Sequence, residues 1–310
     1  MPSLQEVKTA NASIKTAQSQ ENITAVFTGA TRGIGLATLE AFAQHVPKPT
    51  AIIVGRSASR FDPHLARLRS MNPAGTFTFI EHDIELLRDV DATSKLIISA
   101  LEGRKIDILY TSQGYISFAG RETNADGLDR SISLRYHGRV RFTQNLLPCM
   151  SETARSVSIL AGSKEGKVIE DDLELERNYS VLNSMNHYGT LMSLSYDSLA
   201  KAHPQKTFVH VFPGEVNTGL LSRSATGILG WFFGWVVEPL MGLFAPRAED
   251  VGERMLYYGT SGQVGAGMWT LNQKGEQVEN EVLKGYRARG YEKVVEQHYQ
   301  EVVERVAGTA

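Results

Sequence analysis

Residues 28–35, Thr-Gly-Ala-Thr-Arg-Gly-Ile-Gly, are the stretch whose residue types and spacing point most directly to chemistry. Gly29 permits a tight turn. Gly33 and Gly35 let the backbone come close to a bound pyrophosphate and to the neighbouring sheet. A helix opening here turns its free N–H groups and positive dipole end toward phosphate oxygens, with Thr31, Arg32 and Ile34 in the loop between. The β-rich run Ile-Thr-Ala-Val-Phe-Thr-Gly-Ala before the loop and the helical spacing of apolar residues in GIGLATLEAFAQHV after it supply the required strand–loop–helix setting. A second anchor lies one strand later, in Ile-Ile-Val-Gly-Arg-Ser (52–57). Sites for NAD usually carry an acid here for the ribose 2′-hydroxyl. This chain has none, and Arg56 with Arg32 offers two guanidiniums to a 2′-phosphate, so the expected cofactor is NADP(H).

The elements that would position these residues alternate regularly. TAIIVGR reads as a strand, and DPHLARLRSM as a helix with Asp62 as N-cap and Pro63 in its first turn. TFTFIEHD (strand), RDVDATSKLIISALEG (helix) and KIDILYTSQG (strand) follow. The second half continues with a long helix at about 124–147, the strand RSVSILAG, a helix at about 179–202, the strand TFVHVFPG, a helix near 248–259 and the strand GAGMWTLN. Strands alternating with helices of this length predict an α/β fold, a Rossmann-type doubly wound parallel sheet with helices on both faces. One domain is expected over 22–275, after a flexible N-terminal extension (1–21). In the tail (276–310), Val294, Val295, His298, Tyr299, Val302, Val303 and Val306 recur at helical spacing, the pattern of an amphipathic helix packed on the body or on a second subunit.

Composition narrows the function. The 310 residues are 42% apolar and 21% charged with a net charge of −2, which gives no global attraction to nucleic acid or anionic membrane. There is no Cys/His cluster for zinc, no calcium-loop spacing and no basic–aromatic pattern, so no metal site is expected and no nucleic-acid partner. The single cysteine, Cys149, rules out an intrachain disulfide. The polar N-terminus carries no apolar run of the secretory kind, and a cytoplasmic location is expected. The apolar stretch at about 219–247 is interrupted at Glu238 and Pro239. It reads as a lid over an apolar small-molecule substrate, because it follows a strand end where open α/β sheets bind ligands; a monotopic membrane contact through 228–245 is the lesser alternative. Glu165 and the acidic run 170–176 read as solvated surface.

Taken in order, the TGATRGIG loop, the Gly-Arg after strand two, Asp83 after strand three, Ser112-Gln113-Gly114 after strand four and PGEVNTG (213–219) after strand six resemble the short-chain dehydrogenase/reductase family over residues 22–272. The resemblance implies that Asp83 touches the adenine and that Ser112, Gln113 and Gly114 line the cofactor where the family has Asn-Ala-Gly. It also implies that Pro213 and Gly214 border the cofactor, that Thr218 holds the nicotinamide carboxamide, and that the chain forms a homo-oligomer.

The same resemblance identifies a degenerate catalytic set. Where the family carries Asn, Ser, Tyr and Lys, this chain has Arg135, Ala161 (or Ser163 two residues on), Tyr179 and Asn183. A rival register uses Tyr188 and Met192. The lysine's charge lowers the tyrosine pKa from its free value near 10, which an asparagine cannot do, and a well-placed proton donor is worth roughly 10²–10⁴ in rate. Arg135 brings a permanent cation from another helix as compensation, and His187 lies close behind Asn183. The expected function is an NADPH-dependent oxidoreductase acting on a bulky apolar carbonyl, imine or related substrate, similar to family members of secondary metabolism. The alternatives are a non-redox isomerase, dehydratase or cyclase on the same fold, or a catalytically silent NADP(H)-binding protein.

Overall fold

The structure, a computed structural model, describes residues 2–16, 22–216 and 246–308. In chain order the elements are α1 (Leu4–Ser13), β1 (Thr24–Thr28), α2 (Gly33–His45), β2 (Thr50–Gly55), α3 (Ala58–Met71), β3 (Thr76–Glu81), α4 (Leu87–Ala100) and β4 (Ile106–Thr111). There follow α5 (Arg130–Ile132), a π-helical turn (Ser133–His137), α6 (Gly138–Leu146), β5 (Met150–Ile159), α7 (Val181–Ala202) and β6 (Thr207–Val211). The described chain closes with α8 (Ala248–Thr260), β7 (Gly267–Leu271), α9 (Glu281–Ala288) and α10 (Glu292–Gly308).

The seven strands form one sheet in the order β3-β2-β1-β4-β5-β6-β7, every pairing parallel. β1 and β6 are buried along their whole length, which is why TAVFT and TFVHV read as unbroken apolar and β-branched runs rather than alternating ones. The chain reverses its winding between β1 and β4. The carboxyl ends of these two strands therefore part to leave the crevice where doubly wound sheets take ligands. On one face α2 and α8 cross closely: a Cβ on Gly252 would lie 2.6 Å from the Ala37 carbonyl carbon. On the other face α6 and α7 bury Phe142, Tyr188, Leu191 and Tyr196.

Several expectations are revised. The long helix expected at about 124–147 begins only at Arg130 and is broken by the π turn, where the Gly138 N–H reaches back to the Ser133 carbonyl. Ser57, not Asp62, caps α3, its side chain accepting from the Arg60 N–H, and Pro63 lies inside that helix. Within the polar N-terminal stretch, α1 is closed by a reciprocal Ser3–Glu6 capping box and buries Val7, with Asn11 bonded to Glu253 of α8. The tail's apolar stripe packs on the body: Val295, Tyr299, Val302 and Val306 are buried, and the Tyr299 hydroxyl donates to the His137 carbonyl. Among the described residues no helix is long and apolar enough to cross a membrane, and no cluster of three metal-ligating side chains occurs. Most of the stretch read as a lid, including 228–245, lies outside the described residues.

Candidate active site

A cleft of 1210 Å³ opens over the carboxyl ends of the strands. At one end stands the glycine loop. Gly29 has φ +82, and a Cβ there would lie 2.2 Å from the Gln113 amide nitrogen; a Cβ on Gly35 would lie 2.4 Å from Ser112 Oγ. Only hydrogen at these positions lets the loop sit against the end of β4. Gly33, also in the left-handed region at φ +56, begins α2. Thr31, Arg32, Ile34, Arg56 and Asp83 line the same end. Arg32 and Arg56 are exposed, and neither forms an ion pair among the described residues. Asp83 turns one carboxylate oxygen onto the Glu85 N–H at 3.0 Å. Ser112 donates to the Thr28 carbonyl, and Gln113 accepts from the Thr28 hydroxyl at 2.6 Å, tying the end of β4 to β1. A cradle a methyl group would fill, a helix N-terminus behind it and two unpaired guanidiniums beside it together fit a dinucleotide. Ser112, Gln113, Gly114, Pro213 and Gly214 continue the cleft wall, and Thr218 lies outside the described residues.

The other end is built around two buried guanidiniums. Arg135 sits in the π turn, which leaves its side chain on the cleft wall, 7% exposed, its stem against Gly114: a Cβ on Gly114 would be 2.6 Å from Arg135 Cγ. Nε donates to Ser131 Oγ (3.0 Å) and its carbonyl (3.3 Å), and Nη2 donates to Ser184 Oγ at 2.9 Å. Burial lowers its pKa, opposed by Tyr179 and Asp129.

One turn further, Arg139 is 2% exposed and donates to the carbonyls of Gln113 (2.6 Å), Thr111 (3.1 Å) and Ile159 (2.8 Å) and to Ser158 Oγ (3.0 Å). It staples the end of β4 to the end of β5. Burial brings its pKa down to about 9. Arg139 shares its segment with Arg130 and Arg141, a crowding of charge that by itself suggests an outward-facing set. In fact Arg130 pairs with Glu85 and Arg141 with Asp91, while Arg139 is interior. The signal was its spacing of four from Arg135, which puts both on one helix face.

The remaining sequence candidates scatter. Tyr179 precedes α7 and is half-buried; its hydroxyl reaches the Ser117 carbonyl, on the cleft wall, at 3.4 Å. Burial first, then Asp129, raises its pKa, and Arg135 pulls it back. Asn183 is half-exposed in the first turn of α7, its side-chain amide donating to the Asn178 carbonyl, and it is not part of the cleft wall. Ser163 lines a smaller neighbouring hollow with Lys164 and Asn272. Tyr188 does line the cleft, but its hydroxyl donates to the Leu173 carbonyl. Ala161 lines the cleft, and His187 is packed away between the Ile169 N–H and the Leu173 carbonyl.

Beneath Ala161 runs a buried polar chain. The Ala161 N–H donates to His210 Nε2 (3.0 Å), His210 Nδ1 meets Ser193 Oγ (2.8 Å), and Ser193 donates to Glu165 (2.7 Å), which also accepts from the Ser163 N–H. Burial holds His210 neutral, with a pKa of about 3, and raises the Glu165 carboxyl. Glu165 is thus interior, not solvated as expected. So is Glu174 of the acidic run, which meets His298 Nε2 at 2.7 Å and His137 Nε2 at 3.4 Å. Burial alone would raise its carboxyl, but these two histidines hold it well below the usual range.

Comparison with known proteins agrees with this architecture. Residues 23–172 match the family described as short chain dehydrogenase. An oxidoreductase of Emericella nidulans is 34% identical over 98% of this chain and 99% of its own. The short-chain dehydrogenase/reductase SAT2 of Stachybotrys chartarum is 29% identical over 84% of this chain and 78% of its own. Among solved structures, an alcohol dehydrogenase from the archaeon Thermococcus sibiricus complexed with 5-hydroxy-NADP superposes with a TM-score of 0.60 at 16% identity, covering 84% of this chain and 100% of that one, a likeness of fold. On the sheet order, the glycine cradle and these relatives, the chain is an oxidoreductase belonging to the short-chain dehydrogenase/reductase family.

Proposed function

We propose that this oxidoreductase is NADP(H)-dependent and reduces a bulky, largely apolar carbonyl or imine compound in secondary metabolism. The observation that carries the cofactor reading is the pair Arg32 and Arg56. Both are exposed at the glycine end, without carboxylate partners among the described residues, and no acid follows β2. A 2′-phosphate would meet two guanidiniums able to bind it bidentately. The apolar substrate reading rests on Ile116, Phe118, Leu134, Leu160, Met185 and Phe212 in the cleft wall.

When bound, the nicotinamide supplies or accepts the hydride. The chain's own residues then have to hold charge and a proton. In this reading Arg135 carries the positive charge that Asn183 lacks, beside the cleft, where it favours negative charge on the acceptor oxygen or nitrogen. Tyr179, whose hydroxyl meets the Ser117 carbonyl of the cleft wall and whose raised pKa keeps it protonated, is the proton source in this reading.

Titrating the purified protein with NADPH and with NADH, followed by nucleotide fluorescence, tests the proposal. Tight binding of NADPH is expected. Arg56→Ala should weaken it about 10–100-fold, the scale of a charge-assisted pair, and leave NADH unchanged. Binding of neither nucleotide would remove the reading.

A further inference from the structure

The charges at the substrate end do not balance. Arg135 is 93% withdrawn from solvent, being 7% exposed, yet no carboxylate among the described residues comes within ion-pair distance of it. Its described hydrogen bonds use Nε and Nη2 only, all to serine oxygens; Nη1 has no partner among the described residues, and the side chain lines the cleft. The acids nearby are already engaged. Asp129 gives one oxygen to the Ile132 N–H at 3.0 Å and the other to the Glu122 N–H at 2.9 Å. Glu122 accepts from the Tyr115 hydroxyl at 2.9 Å, and Glu85 is clamped by Arg130 at 2.9 and 2.8 Å. The second buried guanidinium, Arg139, adds like charge one turn away and spends its donors on the strand ends. Buried charges are ordinarily paired, because an unpaired one loses its hydration with nothing in return. Among the described residues no group pairs with it, and the guanidinium borders the cleft a substrate would enter.

We propose that Arg135 anchors an anionic oxygen carried by the substrate itself, so that the compound taken into this cleft is an apolar carbonyl compound bearing a carboxylate or an enolate. The inference rests on the reading of this cleft as the oxidoreductase site and adds to it the charge of the substrate. Ser131 and Ser184 act as positioning residues: they occupy Nε and Nη2 and so leave Nη1 as the donor that meets the anion. Both sources share one chemistry, a delocalised negative oxygen presented to a planar donor.

The test is calorimetric titration of the NADP⁺-loaded protein with three probes of similar bulk: naphthoate, the neutral naphthamide, and phenylindanedione, an acidic diketone. Naphthoate or the diketone should bind about 10–100-fold more tightly than the amide, and Arg135→Gln should erase that preference while NADPH binding is retained. If Arg135→Gln fails to fold, Arg135→Lys, which keeps the charge but loses the fork, and Ser184→Ala, which alters only the positioning, each should reduce the preference in part. A carboxylate-type site gives affinity that is flat across neutral pH. An enolate-type site gives affinity for the diketone that rises as the probe ionises, with naphthoate bound no better than the amide. Equal affinity for all three probes, or a preference that survives Arg135→Gln, overturns the proposal. Either result leaves the cofactor reading standing, because that reading is decided separately by the nucleotide titration.

Discussion

The two ends of the cleft solve the same problem with different materials. At the glycine end the protein presents backbone: hydrogen in place of side chains at Gly29 and Gly35, and a helix N-terminus behind them. At the opposite end it presents side chains forced into the interior, with Arg135 and Arg139 on successive turns. The first arrangement tolerates almost no change of residue, because its geometry is steric. The second can exchange one charged group for another provided the hydrogen bonds close.

The comparison is broken most severely at Arg139. Replacing it with Met strands the carbonyls of Thr111, Gln113 and Ile159 in a dry interior and unties β4 from β5. Removing one partner of a buried charged network costs about 3–5 kcal/mol. Chemical denaturation should show that loss, with Arg139→Lys recovering only part of it because an ammonium cannot bridge both strand ends.

Gly29→Ala comes next. The left-handed φ of +82 and the 2.2 Å approach to the Gln113 nitrogen require the loop to shift. About 1–3 kcal/mol of stability should be lost, and NADPH affinity should fall at least tenfold in a nucleotide titration. A variant that binds NADPH normally would mean that the loop does not form the cradle.

This contrast also explains how much could be read from the sequence. The glycine spacing and the alternation of strands and helices are local, so the sheet and its cradle were legible. Arg135 was legible too, by the position the family resemblance assigns to it. Arg139 was legible only as a neighbour of Arg135 on one helix face; what makes it interior is a set of backbone carbonyls contributed by two other strands. Glu165 and Glu174 looked like ordinary surface acids for the same reason: their partners, Ser193 and His210 for one, His137 and His298 for the other, lie far away in the chain. Spacing placed Tyr179 and Asn183 in a catalytic row, but α7 begins at Val181, so one precedes the helix and the other turns its amide back onto Asn178.

The buried histidines predict a pH dependence. His210 is held neutral down to about pH 3 and His187 to about pH 4, chiefly by burial, whereas both take up protons near 6.5 once the chain unfolds. Below pH 6.5 the unfolded state therefore binds more protons than the folded one, and stability is lost as pH falls through that window toward 4. Each such group contributes up to about 1.4 kcal/mol per pH unit. Denaturation curves between pH 7 and 5 should show the decline, and His210→Asn should reduce its slope by about 1 kcal/mol per pH unit. A slope unchanged in that variant would mean that His210 titrates normally.

The smallest expected effect sharpens the contrast most. Asn183→Lys restores the lysine of the family's pattern at the position the resemblance assigns to it. Asn183 lies off the cleft wall, half-exposed, with Arg135 already supplying a cation beside the site. The new ammonium would enter solvent at the start of α7, where a positive charge opposes the helix dipole at a cost of about 0.3–1 kcal/mol. Reductase activity should change by less than about twofold, since an exposed charge screened by solvent shifts a neighbouring pKa only slightly. A tenfold gain in kcat would instead mean that position 183 comes to the cleft beside Tyr179 during turnover. The substrate end would then follow the family's pattern with one residue missing, rather than being rebuilt around buried arginine.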